Sequence, residues 1–235
     1  MNTRFSDALI ARKKAGFIPV IPDIKCISPR DGDLLFGRDP VIIAKQLVEA
    51  GAPALSVVTE QKNFGGSIVL LKSIAEETSV PILRKDFIKS IDDLKITRDS
   101  GAHAILLICS MLPFYLLTKL YEEASKLGLE PLVETRTREE LAFASKLGAK
   151  LVGINNRNIL ELEKDDGTVS ATELLAAYVP EGALLISESS LKTQSEVRAA
   201  INAGADAVLI GTAILQAENL YSFYKTVSKG TGDCF

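Results

Sequence analysis

Ala50-Gly51-Ala52-Pro53-Ala54 is a five-residue pattern that the chain repeats three more times. The other copies are Ser100-Gly101-Ala102-His103-Ala104, Leu147-Gly148-Ala149-Lys150-Leu151 and Ala203-Gly204-Ala205-Asp206-Ala207. In each copy a helical segment ends, a glycine takes the position after the helix, and a new apolar segment begins. Recurrence of one unit along a chain is typical of a repetitive architecture. The pattern therefore predicts that helices alternate with strands.

The segments between these turns predict eight strands, each followed by a helix. The strands are Phe17–Ile24, Ala54–Thr59, Val80–Leu83, Ala104–Ile108, Pro131–Val133, Leu151–Ile154, Ala183–Ile186 and Ala207–Ile210. The helices are Thr3–Ala15 ahead of the first strand, then Asp39–Ala50, Ser67–Glu77, Ser90–Ser100, Pro113–Leu127, Thr137–Leu147, Ser170–Tyr178, Thr193–Ala203 and Ala217–Val227. This order predicts an α/β fold, a (β/α)8 TIM barrel with a short N-terminal helix, formed by residues 1–235 as a single domain. An open doubly wound sheet would need a glycine-rich turn after the first strand, which the chain lacks.

Composition and charge argue against several classes of function. The 235 residues are 47% hydrophobic and 24% charged, and the net charge of −3 comes without a basic stripe, so no nucleic-acid partner is expected. Cys26, Cys109 and Cys234 lack the spacing of a metal site, and His103 is the only histidine, so we expect no metal and no serine–histidine triad. No apolar run is long enough to span a bilayer, so no membrane association is expected. We expect a cytoplasmic monomer or weak homo-oligomer.

Charged and polar residues stand at the ends of most predicted strands. In chain order they are Asp23, Lys25, Ser28, Glu60, Lys85, Glu134, Asn155, Asn156, Arg157, Ser187 to Ser190, Gly211 and Thr212. In a (β/α)8 barrel, catalytic groups lie at the carboxyl ends of the strands, so these residues are predicted to meet at one mouth. Each alone has an alternative interpretation as a solvated charge. Their common position favours an active site in which neighbouring charges tune one another's pKa values.

Two features suggest the chemistry of that mouth. Lys85 follows a buried strand, and a lysine between a low-dielectric core and solvent suits proton transfer, although a surface lysine capping a strand is the alternative. Ser189-Ser190 and Gly211-Thr212 follow the last two strands, where such barrels commonly bind phosphate, although ordinary turn residues are the alternative. Together they predict a small, phosphorylated, anionic substrate.

These residues resemble those of the indole-3-glycerol phosphate synthase family of tryptophan biosynthesis, over about Ile18 to Gln216. The motifs that carry the resemblance are Ile24-Lys25, Ser28-Pro29, Leu55-Ser56-Val57-Val58-Thr59-Glu60, Phe64-Gly65-Gly66, Leu83-Arg84-Lys85-Asp86-Phe87, Glu130-Pro131-Leu132-Val133-Glu134, Gly153-Ile154-Asn155-Asn156-Arg157, Ser187-Glu188-Ser189 and Leu209-Ile210-Gly211-Thr212. The resemblance implies a carboxy-lyase that needs no cofactor. It would close 1-(2-carboxyphenylamino)-1-deoxyribulose 5-phosphate to indole-3-glycerol phosphate with loss of CO2 and water.

The resemblance also implies a role for each site residue. Lys85 would be the acid of ring closure, Glu134 the general base, and Asp23 and Lys25 further catalytic residues. Glu60, Phe87, Leu107, Asn155, Arg157 and Glu188 would bind the substrate, with Phe87 and Leu107 against its aromatic ring. Ser28, Ser189, Ser190, Gly211 and Thr212 would bind its phosphate.

The chain departs from the family pattern in four places. Asp23 stands where the family usually has glutamate, Cys26 where arginine is common, and Ser190 where the phosphate loop has glycine. The segment before the first strand is shorter than the family's, in which it helps to cover the mouth. A divergent phosphate-binding barrel is therefore the alternative function, either a sugar-phosphate isomerase or aldolase, or a non-catalytic metabolite binder.

Overall fold

Eight parallel strands close into a barrel in the computed structural model, which describes residues 4–157 and 168–230. The strands are β1 (Val20–Ile24), β2 (Leu55–Val58), β3 (Ile82–Lys85), β4 (Ala104–Ile108), β5 (Glu130–Thr135), β6 (Leu151–Asn155), β7 (Leu184–Glu188) and β8 (Ala207–Ile210). Each strand pairs with its neighbours in sequence, and β1 pairs with both β2 and β8, which closes the barrel. The predicted (β/α)8 barrel is confirmed and the open sheet is excluded.

Helices follow the strands around the outside of the barrel. The α-helices are Phe5–Lys14, Pro40–Glu49, Gln61–Phe64, Ile68–Glu77, Ile91–Asp99, Phe114–Lys126, Arg138–Leu147, Ser170–Leu175, Gln194–Asn202, Thr212–Leu215 and Leu220–Val227, with 3-10 turns at Cys109–Met111 and Ala176–Tyr178. Side-chain caps fix several starts: Asp39 accepts the Val41 N–H, and Ser90, Thr137 and Thr193 each form a capping box. The predicted helices are confirmed within a few residues at each end.

The repeated glycines have the conformation that the turn pattern predicts. Gly51, Gly101, Gly148 and Gly204 all have a positive φ, between 70° and 115°. This left-handed backbone ends a helix at little cost only when the residue has no Cβ. The four copies of the pattern are therefore the same αβ turn.

Some boundaries differ from the sequence prediction, and the prolines explain two of them. β1 starts at Val20 and β3 at Ile82, each directly after a proline that has no N–H to donate to the sheet. β3 also ends two residues later than predicted, so Lys85 is its last residue rather than the second residue after it. A two-stranded hairpin, Ile27–Ser28 with Gly32–Asp33, lies in the connection after β1 and was not predicted.

The N-terminal helix covers the end of the barrel away from the mouth. Phe5 and Leu9 belong to the same apolar cluster as the inward-facing strand residues, which include Ala54 and Ala104 at the amino ends of β2 and β4. At that end Arg4 pairs with Glu130 at 3.3 Å and Lys13 pairs with Asp206 at 2.6 Å. This helix therefore closes the barrel floor and leaves the carboxyl ends of the strands open.

A second, larger apolar layer lies between the strands and the surrounding helices, and Cys109 is part of it. Cys26 and Cys109 are both free thiols, while Cys234 lies outside the described residues. Over residues 4–157 and 168–230, no helix combines the length and the apolar character needed to cross a membrane.

Candidate active site

One cavity of about 330 Å³ lies at the carboxyl ends of the strands. Most of the predicted site residues line it: Asp23, Lys25, Glu60, Lys85, Phe87, Glu134, Asn155, Arg157, Ser189, Ser190, Gly211 and Thr212. They come from every part of the barrel except β4, whose contribution is apolar. The strand ends therefore converge as the sequence predicts.

Lys85 and Glu188 face each other across the mouth. Lys85 Nζ lies 3.8 Å from Glu188 Oε2, and Glu188 is completely buried beneath the cavity. Neither carboxyl oxygen of Glu188 has a hydrogen-bond partner. Burial, reinforced by the nearby charge of Glu134, raises the pKa of Glu188 to about 8 even though Lys85 opposes the shift. Glu188 is therefore mainly protonated at neutral pH, and Lys85 faces a neutral carboxyl group.

Glu134 is the second buried carboxyl group beside Lys85. It lies near the end of β5, only 3% exposed, and its Oε2 has no hydrogen-bond partner. Burial raises the pKa of Glu134, while the charge of Lys85 and a hydrogen bond from Asn155 act in the opposite direction. A carboxylate whose pKa is raised in this way is a stronger base than one in water.

Asp23 and Lys25 lie on the opposite wall, at the end of β1. The hydroxyl of the fully buried Ser56 donates to Asp23 Oδ1 at 2.6 Å, and the two residues are in register on β1 and β2. Lys25 Nζ lies 5.7 Å from the centre of the Phe64 ring, within cation–π range. Both side chains are buried, so the adjacent elements fix their orientation.

Glu60 lines the cavity, but its carboxylate caps a short helix. It accepts the backbone N–H groups of Lys62, Asn63 and Phe64, at 3.2, 2.7 and 3.1 Å. A side-chain oxygen at this position satisfies amides that have no partner within the helix. Glu60 thus holds Phe64 against Lys25, and its predicted contact with substrate stays a prediction.

Two serines with left-handed backbone form the loop after β7. Ser189 has φ of 67° and Ser190 has φ of 60°, a conformation that is uncommon for residues other than glycine. Asn156 holds this loop, because its Nδ2 donates to the carbonyl oxygens of Glu188 and Ser189 and to the Ser187 hydroxyl. The hydroxyl of Ser190 is buried without a hydrogen-bond partner. It is therefore available to a ligand in the cavity.

The loop after β8 completes this side of the cavity. Gly211 packs against β1 so closely that a Cβ at this position would lie 3.2 Å from both the Cβ and the carbonyl oxygen of Asp23. Thr212 begins the helix that follows. Residues of both loops line the same cavity, where their backbone N–H groups and hydroxyls could serve as donors to an anion.

The structure does not bring Leu107 or Ser28 to the cavity. Along β4, Leu106 and Ile108 face the barrel interior, so Leu107 faces outward into the layer beneath the helices. The Ser28 hydroxyl lies in the hairpin, where it donates to Asp31 and accepts the Asp31 N–H at 3.1 Å. Leu106 and Ile108 therefore replace Leu107 as the β4 residues that line the cavity.

The sequence prediction missed several wall residues. Val58, Phe64, Leu106, Ile108 and Leu209 supply apolar surface, and Asp86 lies on the wall between Lys85 and Phe87. The alternation of side chains along each strand is the signal that places Leu106 and Ile108 on one face of β4 and Leu107 on the other. Among residues 4–157 and 168–230, no three His, Cys, Asp or Glu side chains cluster as in a metal site.

Comparison with known proteins gives one consistent result. The family model described as indole-3-glycerol phosphate synthase matches residues 1–227. Three curated proteins with that name are similar to the chain. The protein from Pyrococcus furiosus is 46% identical, over 89% of this chain and 91% of its own length. Those from Pyrococcus abyssi and Thermococcus kodakarensis are 41% and 40% identical, over 86% and 92% of this chain and 87% and 94% of their own lengths.

A solved structure supports the fold. The N-acetylmannosamine-6-phosphate 2-epimerase from Clostridium perfringens matches with a TM-score of 0.63, over 83% of this chain and 86% of that chain. At 18% sequence identity the match shows a common fold only.

Proposed function

The chain belongs to the indole-3-glycerol phosphate synthase family, and we propose that the cavity at the mouth of its barrel is the active site of that reaction. The enzyme is a carboxy-lyase of tryptophan biosynthesis that converts 1-(2-carboxyphenylamino)-1-deoxyribulose 5-phosphate to indole-3-glycerol phosphate. This membership decides against the isomerase, aldolase and binding-protein alternatives. The role of each residue in this reaction is part of the same proposal.

The observation that carries the assignment is the position of Lys85 between two buried carboxyl groups. Ring closure forms a bond between the ring carbon that bears the carboxylate and the ketone carbon, and the ketone oxygen takes up a proton. The Lys85 ammonium lies inside the cavity, 3.8 Å from Glu188. Because burial keeps Glu188 mainly protonated, its negative charge does not neutralise the ammonium. Lys85 can therefore donate the proton and stabilise charge on the oxygen.

The later steps restore the aromatic ring. CO2 leaves with cleavage of its bond to the ring carbon, and the electrons of that bond return to the ring. The new hydroxyl then leaves as water, which needs an acid to protonate it and a base to take a proton from the substrate. Glu134 is suited to be the base because burial raises its pKa. Asp23, held by Ser56 beside Lys25, lies on the opposite wall and suits the second proton transfer.

The remaining residues suit the parts of the substrate that do not react. Phe87, Leu106 and Ile108 supply apolar surface for the anthranilate ring, and Lys25, Asn155 and Arg157 supply polar groups for its carboxylate. Ser189, Ser190, Gly211 and Thr212 surround the space proposed for the phosphate. Glu60 is proposed to contact the substrate and also to hold Phe64, and Glu188 to act through Lys85. Ser28 supports the hairpin beside the mouth.

Three broader assignments complete the proposal. We place the enzyme in the cytoplasm, in keeping with the free thiols of Cys26 and Cys109. Residues 1–235 are proposed to form one domain, since the described helices pack around a single barrel. The enzyme is proposed to be a monomer or weak homo-oligomer, which sedimentation velocity at several concentrations tests.

Indole fluorescence provides the test of the residue assignment. The purified protein should convert the carboxyphenylamino-deoxyribulose phosphate to a fluorescent indole product, and Lys85→Ala should reduce kcat about 10²- to 10⁴-fold, as expected for loss of a general acid. Glu134→Gln should reduce kcat within the same range. Lys45→Ala is the matched control, because Lys45 pairs with Glu77 on the outer surface. If Lys85→Ala retained the turnover of Lys45→Ala, Lys85 would not be the acid.

A further inference from the structure

A guanidinium group is buried in the layer behind Lys85. Arg84 lies on β3 between Leu83, which faces the barrel interior, and Lys85, which faces the cavity, so its side chain points outward toward helix Ile91–Asp99. Arg84 is 5% exposed, and its layer is otherwise built from apolar residues such as Ile82. Burying a charge at such a position is costly unless it is paired and fully hydrogen-bonded.

Arg84 meets that requirement through contacts with three segments. Its Nε donates to Thr59 Oγ1 at 2.9 Å, next to the end of β2. Its Nη1 donates to Thr97 Oγ1 at 2.9 Å and to the Asp93 carbonyl oxygen at 3.0 Å, both on helix Ile91–Asp99. Its Nη2 pairs with Asp86 Oδ2 at 2.8 Å. The planar guanidinium thus connects β2, β3 and the following helix in a fixed geometry.

Asp86 connects Arg84 to the cavity wall. The Thr59 hydroxyl donates to Asp86 Oδ2 at 2.5 Å, and the Phe87 N–H donates to Asp86 Oδ1 at 2.8 Å. Asp86 follows Lys85 directly, and Lys85, Asp86 and Phe87 all line the cavity. Arg84 and Thr59 therefore hold Oδ2 of Asp86, and the Phe87 N–H holds Oδ1, so the backbone next to the proposed acid is fixed at the same time.

We propose that Arg84 is a positioning residue for ring closure. It holds Asp86 against Thr59, balances the negative charge next to the Lys85 ammonium, and fixes the segment that presents Lys85 and Phe87 to the substrate. The inference rests on the proposed role of Lys85 as the acid. A buried ion pair usually contributes little stability compared with apolar side chains of similar volume, so positioning accounts for this arginine better than stability does.

Lys85 is surrounded by charged groups from most of the barrel, and all of them have to be considered in a pH experiment. They are Asp23 and Lys25 at the end of β1, Arg30 in the hairpin that follows, Glu60 after β2, Arg84 and Asp86 on either side of Lys85, Glu134 on β5, Arg157 after β6, Glu188 on β7 and Lys192 after β7. On helix Ile91–Asp99, Arg84 contacts the carbonyl oxygen of Asp93, whose carboxylate accepts from Ser90 and from the Lys89 N–H. Replacing Arg84 or Asp86 leaves each of the other groups in place.

The test compares Arg84→Met, Asp86→Asn and the double variant in the indole assay across pH. Arg84→Met leaves the Asp86 charge unbalanced, so Lys85 should hold its proton more tightly. The basic limb of the kcat profile should then move up by about one pH unit, with kcat roughly tenfold lower. Asp86→Asn leaves the Arg84 charge unbalanced and should move the limb down by a similar amount. The double variant should return it close to its original position.

A purely structural role predicts a different outcome. It would lower the melting temperature and kcat of the variants without shifting the limb in opposite directions, and that result would overturn the proposal. Asp86→Asn is nearly isosteric, so it provides a second variant if Arg84→Met does not fold.

NMR titration of the Lys85 ¹⁵Nζ resonance, assigned from its loss in Lys85→Arg, separates this inference from the assignment of the acid. The Lys85 titration could move in opposite directions in Arg84→Met and Asp86→Asn while the kcat profile stayed in place. That result would support Arg84 as the residue that balances the charge and contradict Lys85 as the acid. Unchanged titration in both single variants would contradict the role of Arg84.

Discussion

Gly153 leaves the space that the carboxyl group of Glu188 occupies. A Cβ at Gly153 would lie 2.1 Å from Glu188 Oε1, far inside van der Waals contact. The glycine on β6 therefore allows a fully buried glutamate on β7 to extend toward Lys85 on β3. The absence of a side chain at Gly153 thus allows Glu188 to approach Lys85.

Gly153→Ala should move the Glu188 carboxyl group away from Lys85. The added methyl group has to displace the Glu188 carboxyl group, because strand backbone surrounds the position. We expect kcat to fall at least tenfold, and the free energy of unfolding to fall by about 1–3 kcal/mol, as for overpacking of a core. Steady-state kinetics and urea denaturation measure both effects.

Gly182→Ala is the control for this variant. Gly182 has a positive φ of 77° but no atom within 4 Å of the added methyl group. It should lose about 1 kcal/mol of stability without a change in turnover. Equal turnover of Gly153→Ala and the parent protein would contradict the proposed position of Glu188.

The raised pKa of Glu188 predicts that stability falls as pH rises. In the unfolded chain a glutamate titrates near its usual pKa of about 4.3, whereas burial raises the pKa of Glu188 in the folded protein to about 8. The folded state therefore binds this proton more tightly. The stability that this bound proton gives to the folded state is fully present below about pH 4 and is lost as pH rises to about 8.

Glu188→Gln should remove this dependence, because glutamine does not titrate. Relative to the variant, the parent protein should lose about 2–4 kcal/mol between pH 4.5 and pH 8.5. Urea denaturation of both proteins at several pH values measures the difference. Parallel stability curves over this range would show that Glu188 has an ordinary pKa.

The sequence predicts the barrel well because its signals are local. The repeated glycines mark each αβ turn, and the polar residues at the strand ends fall at one mouth because parallel strands of a closed barrel end on the same side. Lys85 and Glu134 could be identified for that reason.

Details that depend on neighbouring elements could not be predicted. Leu106 and Leu107 are identical in type, and only the register of β4 with β3 and β5 decides which of them faces the cavity. The carboxylate of Glu60 is engaged by amides of a short helix that has no sequence period. Arg84 appears in the sequence as one more charge beside Lys85, and its burial depends on Thr59 and Thr97, which are distant along the chain.

Ser190→Gly should weaken phosphate binding and raise the stability of the protein. Ser190 has φ of 60°, which costs about 1 kcal/mol in a residue with a Cβ, and its buried hydroxyl has no partner in the protein. Glycine relieves the strain, so the melting temperature should rise. The loss of the hydroxyl should weaken binding of inorganic phosphate several-fold.

Ser190→Ala distinguishes the two contributions, because it keeps the strained backbone and lacks the hydroxyl. It should bind phosphate as weakly as Ser190→Gly does, without the rise in melting temperature that glycine brings. Isothermal titration with phosphate and thermal unfolding measure the two quantities. If both variants bound phosphate as tightly as the parent protein, the hydroxyl would not be a ligand.

Ser56→Ala should impair catalysis through Asp23. The Ser56 hydroxyl is the partner that fixes Asp23 Oδ1 at 2.6 Å, and Gly211 packs against the other side of the same aspartate. Without it, a buried carboxylate loses a strong hydrogen bond and one constraint on its orientation. We expect kcat to fall about tenfold and stability to fall by about 1–3 kcal/mol.

Ser100→Ala provides the comparison, because the buried Ser100 hydroxyl donates to the Thr97 carbonyl at 2.7 Å in a turn away from the mouth. It should cost about 1 kcal/mol of stability and leave kcat unchanged. If Ser56→Ala lost stability but kept full turnover, as Ser100→Ala is expected to do, the position of Asp23 would not depend on Ser56.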